Sequence, residues 1–175
     1  GTLGCPNCRD GFPVRDGFGD LRAPPRGALP AGRAGPPGPA DPTAVERLQA
    51  LLGVAEGPGT LLLAGSAARL AAALAERIPG VEVVALDADM ARWSEAPRVS
   101  RVAARPGIPM LSRTLRGVAV DGALGARWLE EAARVVAPLS RVVVTDASGD
   151  AGAILAGSGL HVLASEGGTV VAARG

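Results

Sequence analysis

At 175 residues the chain has room for one domain and a small appendage, and its 47% hydrophobic content, mostly Ala, Val and Leu, suffices for a sizeable core. Its 18 basic residues are all arginine and stand against 17 acidic ones, so the net charge is +1; with aromatic residues at 2%, a surface that tracks nucleic-acid phosphates is excluded. No apolar run approaches the ~20 residues of a membrane span and no signal-peptide pattern opens the sequence, so the expected setting is the cytoplasm, with peripheral attachment to a membrane complex left open.

Residues 3–22 read Leu-Gly-Cys-Pro-Asn-Cys-Arg-Asp-Gly-Phe-Pro-Val-Arg-Asp-Gly-Phe-Gly-Asp-Leu-Arg. This stretch resembles the second half of the small zinc-ribbon domain found in activators of tRNA methyltransferases and fused ahead of some bacterial methyltransferases. There a Cys-Pro-x-Cys knuckle precedes a strand with Pro-Val/Ile-Arg-Asp-Gly. The resemblance implies a metal site at Cys5 and Cys8. A structural zinc takes four ligands, however, and the family's first Cys-x-x-Cys is not in the sequence. The favoured reading is a vestigial knuckle without metal, zinc binding only if another chain completes the site. A redox pair would want a helix N-terminus, and Gly11-Phe12-Pro13 does not start one.

Residues 23–42 hold seven prolines and four glycines, which predicts an extended linker with no core of its own. The chain thus divides into a knuckle (1–22), a linker (23–42) and a main domain (43–175). Ordering costs an irregular chain about 1–2 kcal/mol of backbone freedom per residue. The arm carries few apolar groups (Leu3, Phe12, Val14, Phe18, Leu21, Leu29), so its ordering is expected to need a partner polypeptide. Asp41-Pro42 opens a helix as N-cap and N1, Val45, Leu48, Leu51 and Leu52 give it an apolar face, and Gly53 ends it.

Leu61–Ala64 is an apolar run that meets Gly65. A helical pattern follows, with Leu70, Leu74 and Ile78 at i, i+4, i+8; then come Pro79-Gly80 and a second apolar run ending on Asp87. Strand, turn, helix, strand is a βαβ unit, and Asp87 ends the second strand, where nucleotide-binding folds hold a ribose. Further strands are expected at 100–104, 117–121 and 141–145, with a helix through Ala137 and a turn at Pro138-Leu139-Ser140. On that helix Leu129, Ala132, Ala133 and Val136 form the inner stripe, and Arg127–Glu131 and Glu130–Arg134 are the outer pairs. Runs at 160–165 and 169–173 flank Glu166-Gly167-Gly168 as a hairpin.

Residues 45–173 resemble a class I S-adenosylmethionine-dependent methyltransferase. The resemblance implies an α/β, methyltransferase-like Rossmann fold, with a mostly parallel seven-stranded sheet of order 3-2-1-4-5-7-6 and helices on both faces. In that family an acidic residue precedes Gly-x-Gly-x-Gly at the end of the first strand. Here the acidic position is Leu63 and the glycine positions read Gly65, Ala67 and Arg69. The implied cofactor-binding residues are Gly65, Ser66 and Asp87, as vestiges. Leu63 cannot accept hydrogen bonds from a methionine amino group, and Arg105-Pro106 stands where the family carries an acidic adenine contact.

No catalytic residue is assigned. Asp121 and Asp146 read as strand-end caps, the sole histidine, His161, faces solvent, and Trp93 and Trp128 read as packing anchors. Three functions follow as expectations. The first is a catalytically degenerate methyltransferase-like protein that serves as a structural or docking subunit, holding other protein subunits through its N-terminal arm and needing no cofactor. The second is an active methyltransferase that uses S-adenosylmethionine with an unusual turn. The third is a nucleotide-sensing regulator.

Overall fold

A computed structural model describes residues 1–5 and 9–175; Cys8, half of the expected knuckle, lies outside the described residues. Three short strands come first, β1 (Thr2–Gly4), β2 (Gly11–Arg15) and β3 (Phe18–Asp20). Helix α1 (Pro42–Leu52) leads into β4 (Gly59–Ala64), α2 (Ala71–Arg77), β5 (Val81–Leu86) and β6 (Val99–Ala103). Then come β7 (Leu115–Asp121), α3 (Ala126–Val135), β8 (Val136–Thr145), α4 (Ala151–Gly157), β9 (His161–Glu166) and β10 (Thr169–Ala173).

All ten strands form one sheet, in the order β1-β2-β3-β6-β5-β4-β7-β8-β10-β9. From β6 to β9 this is the order expected from the sequence, with β4 central and β10 antiparallel to both neighbours. The strand number is a correction, ten instead of seven. β3 pairs parallel with β6, matching Phe18 to Arg101 and Asp20 to Ala103, and β2 and β1 then add antiparallel. An open sheet edge offers unpaired backbone groups, and the arm pairs with the one at β6.

Helices cover both faces because the central strands are apolar on both sides. Along β4, Leu61 and Leu63 pack with Leu48 and Leu52 of α1 and Leu74 of α2, while Leu62 and Ala64 pack with Leu129 and Ala132 of α3. The α1 reading holds in detail. Asp41 accepts from the Thr43 amide, Pro42 is in the first turn, and Gly53 closes the helix in a left-handed conformation (φ 68°). The hairpin turn uses Gly167 and Gly168, both at positive φ (56° and 71°), as a two-residue connection between twisted strands requires.

Three local expectations are corrected. The helix after β4 is split: Gly65–Leu70 is a 3-10 stretch, and the α-helix proper begins at Ala71. α3 ends at Val135, and Pro138-Leu139-Ser140 lies inside β8 as a kink, with Leu139 at φ 61° and 88% exposed. The Leu139 amide donates to the Arg174 carbonyl and the Arg174 amide to that of Ser140, so the kink stays paired to the chain end. On α3, Glu131 pairs with Arg134 three residues on, at 2.8 Å, and also accepts from the Ile108 amide.

Part of the arm is held by hydrogen bonds within the chain. Two arginines, each 4% exposed, supply donors that an extended chain lacks. Arg22 grips Asp20 and donates to the carbonyls of Arg26, Gly27 and Ala28. Arg101, on β6, donates to the carbonyls of Asp16, Met90 and Trp93. Buried backbone carbonyls must find donors, and hydrogen bonds to charged groups are the stronger kind. Among the described residues no helix is long and apolar enough to cross a membrane.

Candidate functional site

In open α/β sheets the crevice beyond the carboxyl ends of the strands is the ligand site, and here β4, β5 and β7 deliver Gly65, Asp87 and Asp121 to it. Gly65 has φ 69°, and a Cβ added there would lie 2.7 Å from that of Asp121, so glycine is needed for strand packing whether or not a ligand binds. The Ser66 amide donates to Asp121 at 3.3 Å. Asp87, 7% exposed, caps the 3-10 turn at Ala88–Arg92 by accepting from the Asp89 amide at 2.8 Å. Gly65 and Ser66 lie against Asp121, and Arg33 joins Asp121 to Asp87.

A segment of the linker lies on top of them. The Arg33 amide donates to Asp87 at 2.9 Å and the Gly35 amide to Asp89 at 2.9 Å. The Arg33 guanidinium reaches across to Asp121 with Nε 2.6 Å from Oδ2. Ala34 is 1% exposed, and the Trp93 indole donates to the Gly35 carbonyl at 3.2 Å. Gly32 sits so close that a Cβ would run into the Asp87 carboxylate and lie 2.5 Å from the Asp89 amide. Residues 30–35 thus form a strap across the crevice. A cavity of about 110 Å³ lies beneath it, walled by Leu86, Ala103, Leu124 and Trp128.

Asp121 is fully buried and answers to three donors: Arg33, the Ala123 amide at 2.9 Å and the Ser66 amide. Burial pushes its carboxyl up, but the Arg33 guanidinium and these amides outweigh that and hold it below the ordinary carboxylate range. The guanidinium is raised in turn by Asp121. Asp121 therefore is a cap, as expected, and also an ion-pair partner, which was not. The strap itself was missed in the sequence. The available signal was a single arginine flanked by Gly32, Ala34 and Gly35 in a proline-rich stretch, small residues that let backbone approach a carboxylate pair.

The other candidates fall elsewhere. Leu63 is fully buried in the core beneath α1, and Ala67 is buried beside it, while Arg69 points to solvent. Asp146 and His161 are exposed; Trp128 is core, and Trp93 is a strap contact. A more open hollow of about 480 Å³ lies between α1, the turn after β4 and the β9–β10 hairpin, with Arg47, Arg69 and Asp146 at its walls.

The Cys5 amide donates to the Asp10 carbonyl, and no cluster of three metal-binding side chains occurs among the described residues. Cys8 lies outside the described residues, and His161 is on the opposite edge strand from Cys5. An S-adenosylmethionine would meet Leu63 in place of a carboxylate, and the strap where its ribose would lie.

No protein-family model and no curated protein matches the sequence significantly. Solved structures do match in fold. A Galdieria sulphuraria protein provisionally described as a sarcosine dimethylglycine methyltransferase aligns with TM-score 0.58 and 17% identity, over 70% of this chain and 62% of its own. A Haloferax volcanii complex of the Trm112 methyltransferase activator with its provisionally assigned methyltransferase gives TM-score 0.56 and 15% identity, over 68% of each chain. The [4+2]-cyclase SpnF gives 0.57 and 12%, over 70% of this chain and 57% of that one. The alignments cover less than two thirds of the Galdieria protein and of SpnF. At these identities the likeness establishes the α/β methyltransferase-like fold.

Proposed function

We propose that the chain is a catalytically degenerate methyltransferase-like domain that works as a structural or docking subunit of a larger protein assembly. The observation that carries this reading is the use of its two crevice carboxylates: Asp87 and Asp121 are engaged by Arg33 of the chain's own strap. A methyltransferase must hold its cofactor, and the seated strap occupies the crevice at Asp87 and Asp121. Fold alone does not argue for methyl transfer, since a cyclase shares it. The arm leaves Leu3 (53% exposed) and Leu29 (40% exposed) at the surface, which suits a protein contact through the arm.

Two experiments test the proposal. Calorimetry of the full chain with S-adenosylmethionine and S-adenosylhomocysteine should give no binding tighter than about 100 μM. The lost carboxylate bond alone costs ~1.5–3 kcal/mol, one to two decades of affinity. Micromolar binding would restore the enzyme reading. For the docking role, Leu3→Asp and Leu29→Asp should each weaken co-purification with partner subunits while leaving thermal stability unchanged. Undiminished co-purification would remove the arm as the contact.

A second reading, a nucleotide-sensing regulator, is favoured by one feature. Asp87 ends β5, where nucleotide-binding folds hold a ribose, and it accepts from backbone amides, those of Arg33 and Asp89.

A further inference from the structure

We propose that β9 (His161–Glu166) is a dimerisation edge, and that a second copy of the chain pairs with it antiparallel across a two-fold axis at Ala164. This goes beyond the docking role, which uses the arm at the other end of the sheet.

The edge is open and partly apolar. β9 is the last strand of the sheet and its neighbour is β10, which leaves one row of backbone donors and acceptors facing outward. All six of its residues are exposed, Val162 at 40% and Leu163 at 56%. β1, at the opposite edge, has only three residues to offer. β9 contains no proline, and its two polar ionisable residues, His161 and Glu166, stand at its ends and not in the middle, where a like charge would repel a neighbouring copy.

The strand is also self-complementary, and a bulge makes it so. Ala164 pairs with Val171 and Val162 with Ala172, which leaves Leu163 as the extra residue. Cross-strand partners share a face. His161, Ala164 and Glu166 therefore lie on the face of Val171, which α1 covers, and Val162 and Ser165 on the face of Ala172, which α4 covers. A Cβ added at Gly152 of α4 would lie 3.8 Å from Val162, in agreement. Without the bulge, His161 and Glu166 would fall on opposite faces, since side chains alternate along a strand. A two-fold axis normal to the sheet keeps every residue on its own face, so two residues can pair between copies only if they share one. With the bulge, His161 meets the partner's Glu166, Val162 meets the partner's Ser165, and Ala164 meets its own copy. Each end then sets an imidazole against a carboxylate, and two small side chains meet at the axis. Leu163 repeats, against the new strand, the two-against-one step it already makes with β10. Such an isologous contact closes at two copies.

Sedimentation velocity of the full chain from ~1 to ~200 μM reads the association, a range suited to the weak dimer that one strand pair can hold. The expected result is a 17.4 kDa monomer that becomes a dimer as concentration rises. Ala164→Arg sets like charges face to face on the axis and should leave a monomer throughout. His161→Glu opposes carboxylates at both ends and should weaken the dimer at least ~10-fold, while adding Glu166→His exchanges the two members and should restore it to within ~3-fold of wild type. These positions are exposed, and melting curves at the lowest concentration check that each variant keeps the fold; if one does not, the other carries the test. Leu3→Asp, on the arm, should leave the dimer intact, and a dimer lost in that variant overturns the proposal by placing the contact elsewhere. A wild type that stays monomeric at the highest concentration overturns it too. So does a dimer that survives Ala164→Arg, a double variant no tighter than His161→Glu, or a series of ever larger species, which means that β1 of one copy sits on β9 of the next.

Discussion

Arg33→Ala removes the one side-chain cation from Asp121, and its effect can be sized from the structure. Asp121 is fully buried, and the lost contact is a 2.6 Å bond from Nε. Breaking a fully buried ion pair by deleting one partner costs about 3–5 kcal/mol. Two features reduce that figure. The Arg33 side chain is 43% exposed, so solvent screens the pair, and the amides of Ala123 and Ser66 still serve the carboxylate after truncation. The expected loss is therefore roughly 1–3 kcal/mol, the range for a charged hydrogen bond, or a Tm lower by about 3–10 °C in a chain of this size. Urea denaturation with an unchanged m-value is the assay. Arg92→Ala is the control: its bond to Asp89 joins a side chain 62% exposed, and it should cost less than about 1 kcal/mol. Equal, negligible losses for the two variants would show that the strap does not seat on Asp121 in solution.

Other expectations follow from the same geometry. Leu63→Asp, which rewrites the position as the resembled family has it, should destabilise by several kcal/mol or prevent folding, since it buries a charge in a closed core; a stable variant with gained cofactor binding would contradict the packing account. Leu139→Asn should be neutral or stabilising by up to about 1 kcal/mol, because an 88% exposed leucine is held at φ 61°; a clear loss in chemical denaturation would refute it. Asp20, Asp121 and Glu131 all titrate lower in the fold than unfolded, the first mainly through Arg22, the last mainly through Arg134. A depressed carboxyl contributes stability that is complete above its unfolded value, 3.8 for Asp and 4.5 for Glu, and is lost as pH falls through the folded value. Stability should thus hold from pH 7 to about 5 and fall below about 4.5, and urea midpoints that rise on acidification would contradict this. Chelator treatment should leave Tm unchanged, and a drop would mean that a metal is held after all.

The central architecture was legible because its signals are local and redundant. Periodicity, Asp41-Pro42, Gly53, Gly65 and Gly167-Gly168 each place one boundary, and the buried valines of β8 announce a strand covered on both faces. What the sequence did not reveal depends on long-range partners. Arg22 and Arg101 look like any surface arginine until the fold brings carbonyls of the arm to them. Arg33 is separated by 88 positions from Asp121, and no periodicity links them. Proline-rich composition does not reveal where the backbone donors of residues 30–35 are used.

The most direct measurement is amide hydrogen exchange at Arg33 and Gly35 in the full-length chain, with and without saturating S-adenosylhomocysteine. If the strap occupies the crevice, both amides are bonded to Asp87 and Asp89, and they should exchange far more slowly than exposed linker amides such as Gly27, with or without the ligand. Fast exchange at both positions, or protection that changes when the ligand is added, would contradict the claim that the chain's own strap holds the site.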